Sequence, residues 1–237
     1  GRGFRVLYGD ADSLFVRSGR ADPVAAQSEA RELADTLNAE LEREIGERWR
    51  VESKLELEFE KLYVKLFLPH ARGSARGASK RYAGLVHGNE DVEFTGMEVV
   101  RRDWTALAKL VQRELYRRLF ANEPVDAYLA EIVRQVRSGA LDDALVYRKN
   151  LRKSADDYTA ATPPHVAAAR KSTQPQGRLV SYVMTTAGAE PLDNRQHPLD
   201  REHYVAKQVR PVAEPVLETL DLDFERAIGD RRQADLF

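Results

Sequence analysis

The chain has 237 residues, of which 43% are hydrophobic and 32% charged, enough for one large or two small globular domains. A formal net charge of −1 gives no overall attraction to nucleic acid, and the absence of cysteine excludes disulfides and thiolate metal sites. No apolar stretch approaches the roughly 20 residues of a membrane-spanning helix, and the first residues lack a secretion signal, so we expect a cytoplasmic protein without a membrane partner.

Two short apolar runs, FRVLYG and SLFVR, predict buried β-strands joined by a tight hairpin with Asp10 and Asp12 at its tip. Side chains two residues apart point to the same side of a strand, so both carboxylates are expected to face one point. Oxygen ligands at this density suit Mg²⁺, which keeps water and substrate phosphates in its other positions. An ordinary Asp-rich turn is the alternative interpretation.

The abrupt start without methionine indicates a piece of a longer chain.

The next elements alternate between helix and strand patterns. Asp22-Pro23 predicts the start of an amphipathic helix with a leucine stripe. LELEFE alternates apolar and acidic residues and predicts a half-exposed strand, with Glu58 as a weaker candidate for an accessory carboxylate. Residues 70–79 read as a loop, and KRYAGLVH and DVEFTG flank a further hairpin turn.

From about residue 100 onward the pattern is mainly helical. Asp103 is predicted to cap a first helix, residues 122–139 frame a second, and Pro163-Pro164 precedes a short third. Asp200 is predicted to cap a last long helix that prolines bend. The predicted fold class is therefore α+β: an antiparallel β-sheet with a packed helix, followed by a mainly helical unit.

Basic residues are concentrated in the middle of the chain, where residues 70–181 hold 19 Lys and Arg against 13 Asp and Glu. A basic middle between acidic ends favours a surface that faces phosphates, because local potential governs the approach of a charged partner. A chance distribution of charge along the sequence is the alternative.

Several strings together resemble the family B DNA polymerases. YGDADS, at residues 8–13, resembles motif C of that family, with Ala11 where threonine is common. KRYAG, at residues 80–84, is similar to the KKRYAG motif, with Ser79 in place of its first lysine. GMEVVRRDW resembles the segment that leads from palm to thumb, and LVYRKNLRK resembles a thumb element that grips duplex DNA. The resemblance spans nearly the whole chain and is strongest to the bacterial DNA polymerase II branch.

This resemblance implies that residues 1–100 are the C-terminal part of the palm, residues 101–228 a helical thumb and residues 229–237 a tail. It also implies a DNA-directed DNA polymerase of replication or repair, associated with the nucleoid, that transfers deoxynucleotides from a deoxynucleoside triphosphate to a primer by a two-metal mechanism. Asp10 and Asp12 are then the catalytic residues and the Mg²⁺ ligands. The partner carboxylate motif is expected outside these residues, so we expect the fragment alone to be inactive.

The same resemblance implies two kinds of binding residue. Contacts to primer–template DNA are expected from Lys80, Arg81, Tyr82, Arg101, Arg102, Lys149, Arg152, Lys153 and His165. At the end of the chain, Gln233, Leu236 and Phe237 resemble the bacterial sliding-clamp-binding peptide QxxLF, with a frayed tail as the alternative. A palm fragment that exposes strand edges could also dimerise.

Two other classes of function fit part of the pattern. A nucleotide cyclase also places acidic residues on a β-hairpin, but it does not account for KRYAG, RRDW or the terminal QADLF. A non-catalytic DNA-binding or interaction module descended from a polymerase would explain Ala11 and Ser79, but the two intact aspartates speak against it.

Overall fold

The computed structural model describes residues 4–69, 80–159, 162–174 and 177–229. It divides into two compact units, Gly1–Glu93 (unit 1) and Phe94–Phe237 (unit 2). Both units combine strands with helices, which confirms the predicted α+β class. Their identities as palm and thumb stay predictions. Within the described ranges no helix is both long and apolar enough to cross a membrane.

Unit 1 contains two small antiparallel sheets and one long helix. Its elements are β1 (Arg5–Gly9), β2 (Leu14–Arg17), α1 (Pro23–Trp49), β3 (Tyr63–Phe67), β4 (Tyr82–Val86) and β5 (Val92–Thr95), the last of which crosses the unit boundary. Strands β1 and β2 pair with each other, and β3, β4 and β5 form a three-stranded sheet in that order.

The predicted hairpin of β1 and β2 is confirmed, with Val6 opposite Val16 and Gly9 opposite Leu14. The prediction that these strands are buried was wrong, because Val6 is 55% and Leu14 48% exposed. An apolar run favours extended backbone, but it does not supply the layer that would cover a strand. The register nevertheless puts the two aspartates in the turn between the strands.

Helix α1 begins where the sequence predicts, since the Asp22 carboxylate accepts a hydrogen bond of 2.8 Å from the Ala25 N–H. The strand predicted for LELEFE was wrong, because residues 51–62 contain no strand. There the side chain of Asn38 takes the place of a partner strand. Its Oδ1 accepts from the Leu57 N–H at 2.8 Å, and its Nδ2 donates to the Leu57 carbonyl at 2.9 Å. Alternation sets which side a residue faces but does not create a neighbouring strand.

Unit 2 is more varied than the sequence predicts. Its elements are α2 (Ala106–Ala121), α3 (Asp126–Ser138), β6 (Tyr147–Asn150), α4 (Pro164–Lys171), β7 (Leu179–Thr185), β8 (Gly188–Pro191), α5 (Arg201–Tyr204), α6 (Arg210–Thr219) and α7 (Phe224–Ala227). Strands β6, β7 and β8 form an antiparallel sheet in that order, which the sequence analysis does not predict.

Helix caps in unit 2 correct one prediction and confirm others. Helix α2 is capped by Thr105, whose hydroxyl accepts from the Ala108 N–H, and not by Asp103. Helix α3 ends at Gly139 as predicted, because this residue has a φ of 89°, which glycine adopts without steric cost. Asp200 caps α5 by accepting from the His203 N–H at 3.0 Å. A π-helical turn, Val205–Val209, then separates α5 from α6, so the last helix is interrupted before its prolines.

Candidate active site and nucleic-acid interface

Asp10 builds the turn between β1 and β2. One of its oxygens, Oδ1, accepts hydrogen bonds from the Asp12 N–H at 3.0 Å, the Ser13 N–H at 2.9 Å and the Ser13 hydroxyl at 3.0 Å. An aspartate that accepts from backbone two and three residues ahead is the common way to stabilise a turn of this kind. The carboxylate therefore has a fixed orientation before any ligand binds.

Asp10 is also held as an anion. The Asp12 N–H is the main cause that lowers the pKa of the Asp10 carboxyl, followed by the hydroxyl of Tyr8, which donates to Oδ2 at 2.9 Å. Hydrogen bonds to the charged form of a carboxylate favour that form. Asp10 is therefore ionised at neutral pH, as a cation ligand must be.

Lys80 joins the carboxylate turn to the KRYAG segment, residues 80–84. Its ammonium lies 2.5 Å from Asp12 Oδ2, and its backbone N–H donates to the Tyr8 hydroxyl at 2.6 Å. The ion pair raises the pKa of Lys80, first through the hydrogen bond to Asp12 and then through the charges of Asp12 and Asp10. Two strings that are 68 residues apart in sequence thus meet at one place in unit 1.

Aromatic rings pack together next to the ion pair of Lys80 with Asp12. The Phe15 ring lies 5.6 Å from Tyr8, 5.0 Å from Tyr82 and 5.9 Å from Tyr63, measured between ring centroids. Gly84 completes the packing, because a Cβ at this position would lie 2.3 Å from the Tyr63 ring. Tyr82 is therefore half-buried in a ring cluster, next to the half-buried Arg81.

In unit 2, buried polar contacts hold the segment GMEVVRRDW, residues 96–104. Gln112 on α2 accepts from the Val99 N–H at 2.8 Å and donates to the Glu98 carboxylate at 2.9 Å. Glu98 is 3% and Gln112 1% exposed, so these bonds form out of water, where leaving them unmade is costly. The glutamate of the GxExVRRDW pattern therefore has a structural role, which is to fix the chain just before Arg101.

Arg101 and Asp103 form an exposed ion pair with two hydrogen bonds, of 3.0 Å and 2.8 Å. The pair raises the pKa of Arg101 and lowers that of Asp103, to which the charge of Lys149 contributes as well. Arg102 is exposed beside them. The Asp103 carboxylate is thus engaged by Arg101, and the cap of α2 is Thr105, two residues further along the chain.

We give the name basic surface to the predicted basic residues of unit 2: Arg101, Arg102, Lys149, Arg152 and Lys153. Lys149, on strand β6, lies near enough to Asp103 and His165 for its charge to affect the pKa of both. The Arg152 N–H donates to the Tyr158 hydroxyl at 3.1 Å, and the Lys153 ammonium lies 4.9 Å from the centre of the Tyr158 ring. All five side chains are exposed.

His165 is buried, with 6% of its surface exposed, and it packs edge-to-face on Tyr158 at 6.3 Å. Burial lowers the pKa of its imidazole, and the charge of Lys149 lowers it further. A direct phosphate contact would require this side chain to become exposed, so the predicted DNA contact of His165 stays a prediction. In the described conformation it supports the loop that carries Arg152 and Lys153.

Sequence reasoning missed Arg170, which holds the loop that follows β6, and Gln208, which contacts the cap of α2. Arg170 donates to the carbonyls of Ala155, at 2.9 Å and 3.1 Å, and Tyr158, at 2.8 Å, and so holds the loop after β6. Gln208, buried in the π-helical turn, accepts from the Thr105 hydroxyl at 2.8 Å. A π-helical turn inside a helix often marks a functional site, but no sequence pattern announces one.

The described residues contain no group of three or more histidine, aspartate or glutamate side chains arranged to hold a metal ion. Asp10 and Asp12 alone fit part of a Mg²⁺ site, since this ion commonly binds one or two carboxylates together with water and phosphate oxygens. The tail residues Gln233, Leu236 and Phe237 lie outside the described ranges.

Comparisons with known proteins agree with these motifs. A family model described as DNA polymerase family B matches residues 2–220. DNA polymerase II of Escherichia coli (strain K12) is 41% identical over 238 residues, which cover 94% of this chain and 30% of that protein. DNA polymerase 2 of Aeropyrum pernix is 33% identical over 252 residues, which cover 99% of this chain and 28% of that protein. These values confirm the predicted likeness to bacterial DNA polymerase II.

A solved structure extends the likeness to the fold. The family B DNA polymerase from the hyperthermophilic archaeon Pyrobaculum calidifontis superposes with a TM-score of 0.58 and 27% sequence identity, over 94% of this chain and 28% of that chain. The chain thus spans about 30% of the length of the curated relative from Escherichia coli.

Proposed function

The chain belongs to DNA polymerase family B, and from this premise we propose that it takes part in template-directed transfer of deoxynucleotides to the 3′-hydroxyl of a DNA primer. Because it spans about 30% of the length of the relative from Escherichia coli, we propose this activity for the enzyme as a whole and expect none from the chain alone. The observation that carries the proposal is the ion pair of Lys80 with Asp12, which joins two strings typical of the family at one place. The family match favours this reading over a cyclase or a non-catalytic module.

Enzymes of family B generally use divalent metal ions, and we propose that Asp10 and Asp12 hold Mg²⁺. The metal would activate the attacking hydroxyl and stabilise the leaving pyrophosphate. The chain's own contribution is orientation: hydrogen bonds from Asp12, Ser13 and Tyr8 fix the Asp10 carboxylate in its charged form. Catalysis of this kind rests on positioning and charge neutralisation, so the remaining carboxylates of the whole enzyme are required as well.

The basic surface is proposed to hold the phosphates of primer–template duplex. Its five Lys and Arg side chains are exposed, and they differ in what they contact. Arg101 is paired with Asp103, while Lys149 extends from a strand whose position the sheet fixes. Contacts to phosphate carry no sequence information directly, so we expect binding without sequence preference and with a steep dependence on salt.

Titration of a fluorescent primer–template duplex with the chain at several salt concentrations tests this surface. Lys149→Ala should lower affinity equally for unrelated sequences and reduce the salt slope by about 1, the value for one lost phosphate contact. Arg134→Ala is the matched control, because Arg134 is an exposed arginine of the same unit, paired with Glu131 on α3. Salt-insensitive binding by the parent chain, or equal effects of both variants, would contradict the proposal.

We propose a sliding clamp as the protein partner of the terminal peptide, on the strength of Gln233, Leu236 and Phe237 alone. Deletion of Leu236 and Phe237 should abolish binding of the chain to a bacterial clamp in a surface-immobilisation assay. Affinity for duplex DNA should not change, because these two residues carry no positive charge. Clamp binding that survives the deletion would refute the assignment.

Self-association of the isolated chain is a further proposal about partners. It is supported by exposed apolar side chains of unit 1, such as Val24 at 71% and Leu55 at 66% exposure. Exposed apolar patches commonly mark contact surfaces, although they need not be physiological ones.

A further inference from the structure

Lys80 is fixed to the carboxylate turn at two points. Its backbone N–H donates to the Tyr8 hydroxyl, which in turn donates to Asp10, and its ammonium binds Asp12. The backbone of Lys80 has a φ of 54°, a left-handed conformation that non-glycine residues adopt at a cost. A non-glycine residue keeps a left-handed conformation where its surrounding contacts require it. For Lys80, the two contacts described above connect it to Asp10, through Tyr8, and to Asp12.

The two aspartates are held in different ways. Three donors from the turn itself occupy Asp10 Oδ1, and the Tyr8 hydroxyl donates to Oδ2, so Asp10 is held by uncharged donors. Asp12 Oδ2 is occupied by the ammonium of Lys80. A cation that binds Asp12 through this oxygen must therefore displace a positive charge that the chain itself supplies.

We propose that Lys80 is a built-in counter-cation of the carboxylate turn, which competes with a divalent metal ion for Asp12. An ammonium suits this role because it is a compact charge on a flexible four-carbon stem, and so it can move between two anions. Once displaced, Lys80 would be free to bind another anion, and the phosphates of nucleic acid are the class that the proposed function brings near. The inference rests on the proposed function, because it needs a divalent ion at these carboxylates.

The strength of this competition follows from exposure. The side chains of Lys80 and Asp12 are 55% and 75% exposed, and exposed ion pairs have small coupling energies. Removal of the ammonium should therefore tighten divalent-ion binding modestly, by about two- to fivefold. A change of this size is readily measured when a matched pair is changed in parallel.

The chain offers such a pair. Lys54 binds Glu52 at 3.1 Å; Glu52, at 76%, matches Asp12 in exposure, and Lys54, at 81%, is more exposed than Lys80. Both lysines belong to unit 1, so replacing either changes the charge of this unit equally. They differ in that only Lys80 binds an aspartate of the carboxylate turn.

The test is titration of the chain with Mn²⁺, with free Mn²⁺ measured by electron paramagnetic resonance. Lys80→Met removes the charge but keeps the length of the stem, and Lys80→Gln is a second neutral variant. Both should bind Mn²⁺ about two- to fivefold more tightly than the parent. Lys80→Arg, which keeps the charge, and Lys54→Met should bind Mn²⁺ as the parent does.

Unchanged or weaker Mn²⁺ binding by both neutral Lys80 variants would overturn the competition, and so would equal tightening by Lys54→Met. Asp10→Asn separates this outcome from failure of the proposed function. If Asp10→Asn leaves Mn²⁺ affinity unchanged, or if the parent binds no Mn²⁺, the carboxylate turn is not a metal site and the inference falls with it. Tighter Mn²⁺ binding by the Lys80 variants that is lost when Asp10→Asn is added supports both the metal site and the competition by Lys80.

Discussion

Unit 1 and unit 2 bury their side chains to very different degrees. Among the described residues, the buried apolar side chains of unit 1 are the small Ala26, Ala83 and Pro69. Unit 2 buries large ones, such as Leu129 and Tyr116, which are completely inaccessible. Apolar burial stabilises by about 25 cal/mol per Å² removed from water, so most of the stability that burial supplies belongs to unit 2.

The polar side chains show the same difference. Gln112 in unit 2 and Asn38 in unit 1 both hold a neighbouring backbone segment, but the first does so in the core and the second at the surface. The carboxylate turn likewise rests on hydrogen bonds that water can replace. The unit that carries the proposed chemistry is thus the less tightly packed one, and regions of this kind open at low free-energy cost. A bound ligand would add to its stability by mass action.

The largest effect should come from deleting a buried leucine. Leu129→Ala should lower the free energy of unfolding of unit 2 by about 2–5 kcal/mol, because it leaves a cavity in a packed core. Leu55→Ala, at a position that is 66% exposed, should change the free energy of unfolding by at most about 0.5 kcal/mol. Urea denaturation followed by tryptophan fluorescence measures both, since Trp49 lies in unit 1 and Trp104 in unit 2. Similar losses at the two positions would refute the difference in packing.

The next largest effect concerns the side-chain amides of Gln112 and Asn38, which form hydrogen bonds with neighbouring backbone. Gln112→Leu should cost about 1–3 kcal/mol, because it leaves the buried Val99 N–H and a buried carboxylate without this partner. Asn38→Leu should cost less than about 1 kcal/mol, because water can solvate the freed groups of Leu57, which is 38% exposed. Hydrogen exchange of the Val99 and Leu57 amides measures the local change. A larger loss of protection from exchange at the Leu57 amide than at the Val99 amide would contradict the expected difference between the units.

Elements that depend on local chemistry were predictable from the sequence. The hairpin with Asp10 and Asp12 in its turn, the Asp22 cap and the Gly139 stop each involve residues a few positions apart. The strand predicted for LELEFE failed because a strand needs a partner, which alternation cannot supply. The sheet of unit 2 was missed for the related reason that charged β6 gains its strand character from pairing with distant β7.

The candidate site likewise contains residues that local sequence predicts and residues that only the fold brings together. Asp10 and Asp12 could be proposed from their spacing and from the resemblance of YGDADS to motif C. The ion pair of Lys80 with Asp12 could not be predicted, because the two residues are 68 positions apart and only the fold brings them together. Arg170 carries no signal at all in sequence, since its role depends on carbonyls of a loop that it reaches only in the folded unit.

The smallest expected effect is a difference in pH dependence between the units. Burial is the main cause that lowers the pKa of His165, so the folded unit 2 disfavours the protonated imidazole. The unfolded chain then binds more protons below about pH 6.5, the usual pKa of histidine, and stability falls as pH drops through this value and on toward the lowered pKa. Asp10 in unit 1 also has a lowered pKa, but its contribution is complete above about pH 4 and is lost only below that.

Melting monitored by fluorescence of the Trp104→Phe and Trp49→Phe variants, each of which keeps one tryptophan, between about pH 7.5 and 5.5 should therefore show a decrease in unit 2 and none in unit 1. His165→Gln should reduce the pH dependence of unit 2 without affecting unit 1. A residual slope is expected from His203, whose pKa burial also lowers, and His203→Gln in addition should reduce it further. Equal acid sensitivity of the two units would mean that buried histidines do not distinguish them, because carboxylates common to both would then set the slope.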